Sequence, residues 1–426
     1  MGKISILAPA GCFASMQSAI DQGADMIYFG VDKLNMRQKS AHNFSINDLP
    51  KIMEILHHHN KQGYLTLNTI IYDEDLPLLR QICDAAKKSN VDAIIACDMA
   101  TITYARSIGL NIHISTQLNV CNMEAIKFYS KYADVILLAR ELSLEQIKNI
   151  ASNVEKEKIV GPKGELIKLE IFAHGALCVS ISGKCYMSLA LYNASANRGE
   201  CLQPCRRQYL VKDFESEQEL AIDNHFIMSP KDLCTLFFLD QIVTSGISIL
   251  KIEGRARSPE YVSTVVKCYK EALDSIEHKQ FTKEKIMKLE KELKKVYNRG
   301  FWQGGYYLGK KLGEWSGAYG SQATTKKRFV GKINKYFPKI QVVECELHSG
   351  NLKENDPILI IGPSTGTVST VVKNIKIHGE KLITFKVEKK IKEKDSVYLV
   401  ETSLMETSLM ETSLVETSLV EPPNVR

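Results

Sequence analysis

Eight short apolar segments in the first 255 residues, alternating with segments of helical periodicity, constrain the fold more than any other feature of the chain. Helical spacing between them is clear in DLPKIMEILHHHN at 48–60 and DLPLLRQICDAAKKSN at 75–90. The apolar segments are ISILAPAG, ADMIYFGV, GYLTLNTIIY, DAIIACD, NIHISTQLNV, ADVILLAR, LIKLEIFAHGALC and ISILKIEGR. Strands buried on both faces of a parallel sheet read as continuous apolar runs. Eight β/α units in about 250 residues predict a TIM-like (β/α)8 barrel, with a doubly wound open sheet as the alternative.

The alternation stops between the seventh and eighth apolar segments. Residues 178–234 form an insertion with weak periodicity, and this insertion carries five cysteines. A loop of this length inside a compact domain is usually functional, so the insertion is the first place to look for chemistry.

The C-terminal part of the chain has a different pattern. Residues 329–400 contain six short alternating strands with turn signals, which predict a small all-β barrel. The following five-residue repeat, ETSLM-ETSLM-ETSLV-ETSLV, matches no solenoid unit and is too short to bury a core. We predict a catalytic barrel with its insertion at 1–325, a β-barrel domain at 326–400 and a disordered tail at 401–426.

The apolar segments and the cysteines indicate the cellular compartment in which the protein is expected. The N-terminal apolar run, ILAPA, is short for a signal peptide, and no apolar stretch approaches the length that crosses a bilayer. We therefore expect a cytoplasmic protein without a membrane segment. In a reducing compartment, clustered thiols more often bind metal or do chemistry than form structural disulfides, whereas the scattered cysteines are expected to be small buried hydrophobes.

Basic residues are unevenly distributed, although the net charge is only +6. The segment 279–300 has eight Lys/Arg against three Glu, and Lys310, Lys311 and the KKR at 326–328 follow. Such a face could meet phosphates, or it could be a solvated lysine-rich helix.

Common hydrolase patterns are missing from the sequence. It contains neither G-x-S-x-G nor H-E-x-x-H. His57, His58 and His59 are consecutive in a helical pattern and point about 100° apart, so they do not share a metal face. A cysteine nucleophile assisted by His174 is conceivable, but it would leave the other clustered thiols unexplained.

The clustered cysteines are better explained by metal binding. They are Cys178, Cys185, Cys201, Cys205 and Cys234, with the spacing C-x6-C, x15, C-x3-C, x28, C. This spacing is wider than in a zinc ribbon and suits ligands gathered from a strand end, a loop and a helix start. Glycines near these thiols would let backbone N–H groups approach sulfur. Structural zinc and an iron–sulfur cluster both remain open.

The segment EIFAHGALCVSISGKCYMS at 170–188 resembles the signature of peptidase family U32, E-x-F-x-x-G-[SA]-[LIVM]-C-x4-G-x-C-x-[LIVM]-S. The specified positions are occupied by Glu170, Phe172, Gly175, Ala176, Leu177, Cys178, Gly183, Cys185, Met187 and Ser188. RGECLQPCRRQY, SPKDLC, LKIEGR and APAG resemble further blocks of the family, and the similarity runs from residue 3 to about 400.

The resemblance implies a function. Members of this family were first labelled collagenase-like proteases, whereas better-understood relatives are oxygen-independent hydroxylases with a [4Fe–4S] cluster. One branch, the tRNA hydroxylation proteins, helps to form 5-hydroxyuridine at the wobble position of tRNA, with prephenate as the implied hydroxyl donor. The length and the C-terminal β-domain favour this branch. A collagenase-like peptidase and a zinc-stabilised RNA-binding protein are the alternatives.

The resemblance also implies cluster ligands at Cys178, Cys185 and Cys201, with a fourth further on. Cys205 and Cys234 compete for that place. We favour Cys234, since two thiols in C-x3-C on one iron cube need a tight loop that Pro204 stiffens.

Polar residues at predicted strand ends are candidates for the active site, which lies at the C-terminal end of such barrels. They are Asn68, Asp98, Gln117, Arg140, Glu141, Glu170, His174, Glu253 and Arg255. The catalytic candidates among them are His174, Glu170, Arg140, Glu253 and Arg255. The two arginines could clamp a dicarboxylate such as prephenate, or form barrel-end ion pairs, Arg140–Glu141 and Glu253–Arg255. His174 could transfer protons or hold a loop by a hydrogen bond.

The expected partners are a tRNA anticodon loop, prephenate and, as a further option, a paralogous protein. A wobble base is already single-stranded and can be presented to an active site. Aromatic residues interleaved with Lys310 and Lys311 could stack on such a loop or serve in core packing. They are Trp302, Tyr306, Tyr307 and Trp315.

Overall fold

The computed structural model describes residues 4–209, 226, 228–309 and 314–403. Its first ten strands are β1 (Ser5–Pro9), β2 (Met26–Phe29), β3 (Gln62–Leu67), β4 (Ala93–Ala96), β5 (Ile112–Ile114), β6 (Val135–Leu137), β7 (Lys168–Gly175), β8 (Asp232–Cys234), β9 (Ile249–Ile252) and β10 (Phe301–Gln303). Each of the first six strands pairs in parallel with the next. β9 pairs in parallel with both β7 and β1, which closes an eight-stranded barrel. The prediction of a TIM-like barrel is confirmed, because an open sheet would leave β1 and β7 as edges.

The helices lie between these strands. They are α1 (Phe13–Asp21), α2 (Leu49–His58), α3 (Leu76–Lys88), α4 (Met99–Ser107), α5 (Met123–Tyr129), α6 (Leu144–Lys156), α7 (Met187–Tyr192), α8 (Leu239–Val243), α9 (Pro259–Glu277) and α10 (Lys283–Lys295). All of them except α7 bury apolar residues. The sequence carries start signals for three of these helices. A proline stands in the first turn of α2 and of α3, and Ser143 and Gln146 form a capping box at the start of α6. In the described part of the chain no helix is long and apolar enough to cross a membrane.

Two strands lie outside the barrel: β8 at the end of the insertion, and β10, which follows α10. β8 pairs antiparallel to the last residues of β7, with Cys234 opposite His174, and β10 pairs in parallel with β8. The short helix α7 and several 3₁₀ turns make up much of the rest. Extra strands at the end of β7 hold the insertion over the C-terminal end of the barrel.

The C-terminal domain is all-β, as predicted. Its strands are β11 (Thr325–Phe337), β12 (Val342–Leu347), β13 (Pro357–Gly362), β14 (Gly366–Val371), β15 (Lys376–His378), β16 (Leu382–Lys386) and β17 (Ser396–Thr402). Seven strands form instead of six because the predicted strand at 367–377 is divided into β14 and β15. The antiparallel order is β14-β13-β17-β11-β12-β16-β15, so within the described residues the sheet has two edges and is not closed into the predicted barrel.

The C-terminal domain has its own apolar core and contacts the barrel through α1 and α9. Ser18 and Thr367 share a hydrogen bond of 2.8 Å, and Lys327 pairs with Glu260 at 2.7 Å. β17 runs past the predicted boundary at 400, since its last residues, Glu401 and Thr402, pair with β11. The rest of the predicted disordered tail, 404–426, lies outside the described residues.

Most of the lysine-rich segment folds as α10, and some of its lysines form ion pairs with glutamates of the same helix. Lys294 pairs with Glu290 at 2.9 Å, and Lys295 pairs with Glu292 at 2.7 Å. Short-range pairs of this kind are typical of a solvated helix face. The geometry therefore favours the solvated helix over the phosphate-binding face, and Lys310 and Lys311 lie outside the described residues.

Candidate active site

A cleft of about 190 Å³ opens at the C-terminal ends of the barrel strands, beneath the insertion. Thr66 and Asn68 reach it from the end of β3, Phe172 from β7, and Lys251 and Glu253 from the end of β9. Loops that follow parallel strands meet at this end of a barrel, which is where such folds place their active sites.

Four of the five clustered thiols share this cleft. Cys178, Cys185, Cys201 and Cys205 all line it, and none is in a disulfide. Burial raises the pKa of Cys205 to about 11, Arg206 opposes that shift, and the thiols of Cys178, Cys201 and Cys185 add to it. The four side chains therefore lie close enough together to influence one another electrostatically.

Glycine at position 199 allows the insertion to approach the barrel. Its φ is +84°, and a Cβ atom there would lie 2.3 Å from the carbonyl oxygen of Asn35. Only glycine fits both the left-handed conformation and this contact. The close approach brings Cys201, two residues later, to the loop that follows β2.

Cys234, which the sequence analysis favoured as the fourth ligand, lies elsewhere. It is on β8, it is fully buried, and it is not among the residues that line the cleft. Its Sγ lies 3.9 Å from the hydroxyl of Tyr269, and burial raises the pKa of the thiol to about 12. The structure thus groups Cys205, and not Cys234, with the other three candidate ligands.

The thiol set can be tested against the two metal centres that the sequence left open. Among the described residues, no group of three or more His, Cys, Asp and Glu side chains is arranged to hold a single metal ion. A tetrahedral zinc site needs sulfurs about 3.8 Å apart, because each Zn–S bond is about 2.3 Å long. A [4Fe–4S] cluster takes its thiolates on different irons and suits thiols spread around a cleft. The four cysteines are thus not arranged as a site for one zinc ion, and their number and chemistry match the four thiolates that hold a [4Fe–4S] cluster.

Cationic side chains dominate the charged residues of the lining. They are Arg37, Arg140, Arg206, Lys251, Arg255, Arg257 and Arg299, against the single lining carboxylate of Glu253. Arg37 Nη2 lies 3.0 Å from Glu253 Oε1. Burial opposes the ionisation of Glu253, but Arg37 and Arg257 outweigh it and lower the pKa of this carboxyl to about 2. A cleft with this excess of positive charge is suited to bind anions.

Arg255 and Arg140 have neutral partners in place of the carboxylates that the ion-pair alternative required. Arg255 donates to Thr66 Oγ1 at 2.8 Å and to Asn35 Oδ1 at 2.9 Å, and burial lowers its pKa to about 10. The guanidinium carbon of Arg140 lies 4.0 Å from the centroid of the Phe172 ring. Within the described chain neither arginine is in an ion pair, so the alternative of barrel-end pairs is wrong.

Asn68 and Gln117 line the cleft, whereas Asp98 has a structural contact. Asn68 Nδ2 lies 3.4 Å from both Ser115 Oγ and Gln117 Oε1. Asp98 caps α4 by accepting from the backbone N–H of Ala100 at 2.9 Å. Asp98 is thus accounted for by a helix cap, and Glu141 is exposed and absent from the cleft lining.

His174 is not part of the cleft. It is buried, its ring packs against Tyr261, Tyr269 and Phe301, and its Nδ1 lies 3.5 Å from the Tyr269 hydroxyl. Burial lowers its pKa to about 3. The imidazole therefore stays neutral and holds the end of β7, which agrees with the structural interpretation and not with proton transfer in the cleft.

Glu170 lies inside the barrel, below the cleft. Its Oε1 accepts from Lys251 Nζ at 2.8 Å, and its Oε2 is 4.0 Å from His113 Nδ1. Burial lowers the pKa of Lys251, and Glu170 opposes that shift. Glu170 thus positions the Lys251 ammonium, which itself reaches the cleft.

The aromatic residues expected to stack on RNA are mostly internal. Trp302 and Tyr307 are buried, and the Tyr307 hydroxyl donates to the Phe172 carbonyl at 2.9 Å. Tyr306 packs on the Trp302 ring at 5.3 Å between centroids, and Trp315 is half-buried beside Pro230. Core packing, the alternative, is the better description.

Sequence reasoning missed several cationic residues of the cleft. A signal for two of them was present: Lys251, Glu253, Arg255 and Arg257 alternate in LKIEGRAR, which continues β9. Residues two apart on a strand share a face, so charged residues in this alternation predict a polar barrel end. Arg37 carries no comparable signal, since it comes from an irregular loop after β2.

The fold and the cleft place this protein in a class, the (β/α)8-barrel enzymes with a cysteine-rich insertion. Its cleft, at the ends of the barrel strands, carries thiols and is lined with arginines. More specifically, the chain belongs to peptidase family U32, whose family model matches residues 11–317.

Named relatives in this family fall into two groups. The chain is 48% identical to a protein of Porphyromonas gingivalis named collagenase, over 93% of this chain and 98% of that protein. It is 29% identical to tRNA hydroxylation protein P1 of Bacillus subtilis, over 91% of this chain and 93% of that protein. A solved structure of a U32 peptidase is similar with a TM-score of 0.37 at 14% identity, covering 59% of this chain and 93% of that one. By identity the comparisons favour the collagenase alternative over the tRNA hydroxylation branch.

Proposed function

We propose that this protein is an oxygen-independent RNA hydroxylase that depends on a [4Fe–4S] cluster. The observation that carries the proposal is the presence of four free thiols and seven cationic side chains in one cleft at the C-terminal end of the barrel. A hydroxylase that takes oxygen from an organic acid needs both a redox centre and an anion site, and this cleft has residues suited to both.

Cys178, Cys185, Cys201 and Cys205 would hold the cluster, with Cys205 in place of the Cys234 favoured from the sequence. When bound there, a [4Fe–4S] cluster supplies one-electron redox chemistry next to the substrate. Arg206 lies beside these thiols and donates to the carbonyl of Pro230 at 2.9 Å and to Ser229 Oγ at 3.0 Å. Its charge would partly neutralise the four thiolates, and its hydrogen bonds tie the ligand loop to the chain before β8.

The remaining cations would bind the hydroxyl donor. Arg255 and Arg140 have no carboxylate partner among the described residues, so each can form an ion pair with a carboxylate of the ligand. The donor is proposed to be a dicarboxylate, with prephenate implied by the family resemblance. In the overall exchange a ring C–H and the donor C–OH bond break, while a ring C–OH and a donor C–H bond form. The base loses two electrons, the donor gains them, and no dioxygen is consumed.

The substrate is proposed to be a uridine at the wobble position of tRNA, modified at C5. The name of the Bacillus subtilis relative, tRNA hydroxylation protein P1, supports tRNA as the RNA. An anticodon-loop base is unpaired, and little energy is needed to move it into a cleft.

Anaerobic purification tests the cluster. We expect a brown protein with an absorption band near 400 nm and about four iron atoms per chain. Stoichiometric zinc without iron would contradict the proposal. Mass spectrometry of tRNA from a strain lacking the protein, and any paralogue, tests the substrate: wobble 5-hydroxyuridine should disappear, and an unchanged level would refute the tRNA assignment.

A collagenase-like peptidase is the second candidate, and it is favoured by the 48% identity to a protein named collagenase. Cys178, the exposed thiol of the cleft, would be its nucleophile. The test is cleavage of collagen by stringently repurified protein. Activity that is retained on repurification and lost in Cys178→Ser would support the peptidase, whereas activity lost on repurification would contradict it.

A further inference from the structure

The outer surface of the insertion exposes large apolar side chains beside the cleft. Tyr186 is 75% exposed, Tyr192 is 39% exposed, and Leu191 and Ile181 are both more than half exposed. Large aromatic and aliphatic residues concentrated on one surface segment mark a binding site more often than a solvated face.

This surface is the outer side of the wall that carries the candidate cluster ligands. Met187 and Ser188 at the start of α7 line the cleft, whereas the rest of that helix faces outward. Tyr186 stands between Cys185 and Met187, which both line the cleft, and its own side chain is exposed to solvent. This surface therefore borders the cleft.

A third exposed tyrosine, Tyr72, lies on the loop after β3 and contacts the insertion. The guanidinium carbon of Arg198, in the insertion, lies 3.9 Å from the centroid of the Tyr72 ring. The backbone N–H of Ile70 donates to the carbonyl of Asn197 at 3.1 Å, which fixes this loop against the insertion. Arg207 makes a similar contact with Tyr192, at 5.1 Å from the ring centroid. Two of the three tyrosines thus have a guanidinium group beside the ring.

The charge of the insertion selects the kind of partner. Its described residues 178–209 contain four cations against the single acid Glu200. Arg198 is paired with Asp75 and Arg206 is bonded inside the cleft to Ser229 and Pro230, so Lys184 and Arg207 are the exposed cations left for a ligand. Exposed aromatic rings with interleaved cations match single-stranded nucleic acid, whose bases stack on the rings and whose phosphates pair with the cations. A neutral protein partner would account for the apolar residues but not for this excess of positive charge.

We propose that Tyr72, Tyr186 and Tyr192 form a stacking rim for unpaired RNA nucleotides, which guides one base into the cleft. The inference deepens the proposed function and rests on it for the identity of the RNA. The rim stacks the bases that flank the target, while Lys184 and Arg207 pair with the phosphates between them.

Binding of the full-length protein to two labelled RNAs tests the rim. One probe is a hairpin with a large unpaired loop, and the other is the same stem as a blunt duplex. Tyr186→Ala and Tyr192→Ala should each weaken binding of the hairpin by about tenfold, because one stacked base is lost, and should leave the weaker duplex binding unchanged. Phe128→Ala is the matched control, since Phe128 is an exposed aromatic residue on α5 with Lys131 Nζ 5.8 Å from its ring centroid.

The possible outcomes separate the rim from the proposed function. Unchanged hairpin affinity in both tyrosine variants, or an equal loss in Phe128→Ala, overturns the rim. Loss of binding to a proline-rich collagen peptide without loss of RNA binding assigns the surface to a peptide and also overturns it. Iron content is measured in each variant, so a disturbed cluster next to Tyr186 is recognised. Tyrosine-dependent hairpin binding by a protein that leaves tRNA unmodified supports the rim and refutes only the hydroxylase.

Discussion

Replacement of Cys205 by alanine should lower the iron content and leave the stability nearly normal. Replacement of Cys234 by alanine should lower the stability and leave the iron content unchanged. Cys205 lines the cleft with three other thiols, so Cys205→Ala removes one of four proposed cluster ligands. We expect iron to fall from about four atoms per chain to a small fraction of that value, and the band near 400 nm to fall with it. Cys234 is fully buried on β8, and Cys234→Ala leaves a cavity about the size of one sulfur atom.

The magnitude for Cys234→Ala follows from that cavity. Removal of one buried methylene-sized group costs about 1 kcal/mol of unfolding free energy, and the loss of the weak contact with the Tyr269 hydroxyl adds little. Iron content should be unchanged. Urea unfolding of the iron-free proteins should therefore show lower stability for Cys234→Ala and nearly normal stability for Cys205→Ala.

Iron analysis and absorbance after anaerobic purification, with Cys121→Ala as an exposed-cysteine control, complete the assay. The reasoning is refuted if Cys234→Ala loses the cluster while Cys205→Ala retains it. That result would mean that β8 moves when the cluster binds and brings Cys234 to the cleft.

Three further variants test the electrostatics and the backbone of the site. Burial lowers the pKa of His174 to about 3, so unfolding takes up a proton when the pH is between about 3 and 6.5. In that window this residue alone should lower the free energy of unfolding by about 1.4 kcal/mol for each unit that the pH falls. His174→Phe should reduce the dependence of the unfolding free energy on pH by the same amount. Arg255→Met should weaken calorimetric binding of a dicarboxylate by at least about tenfold, through loss of a charged hydrogen-bonding partner, whereas the exposed control Arg80→Met should not change it. Gly199→Ala places a Cβ atom against the Asn35 carbonyl and should lower iron content, whereas Gly164→Ala, also at positive φ but in open space, should leave iron content normal.

The barrel could be predicted because its signal is local. A strand buried on both faces must be apolar along its length, and each of the eight predicted segments contains one barrel strand. The division of one predicted strand into β14 and β15 had a weaker signal in the sequence. Residues 372–375, which separate the two strands, contain neither proline nor glycine. Periodicity alone does not reveal a bend of that kind.

Assignment of the fourth thiol depends on contacts that spacing does not encode. The argument for Cys234 assumed that Pro204 stiffens the chain against a tight loop. In the structure Pro204 begins a 3₁₀ turn, and Gln203 before it has a positive φ of 55°. This turn places Cys205 on the cleft side, while the antiparallel pairing of β8 with β7 keeps Cys234 beneath it.

A peptidase and a hydroxylase would use this cleft differently, and its composition distinguishes them. A cysteine peptidase needs a base that takes the thiol proton and returns it to the leaving amine. In the described part of the chain no histidine lines the cleft, and His174 is buried among aromatic rings. Arginine stabilises a thiolate but does not deliver a proton at neutral pH. We therefore expect that collagen cleavage by a preparation of this protein would persist in Cys178→Ala and would separate from the protein on repurification.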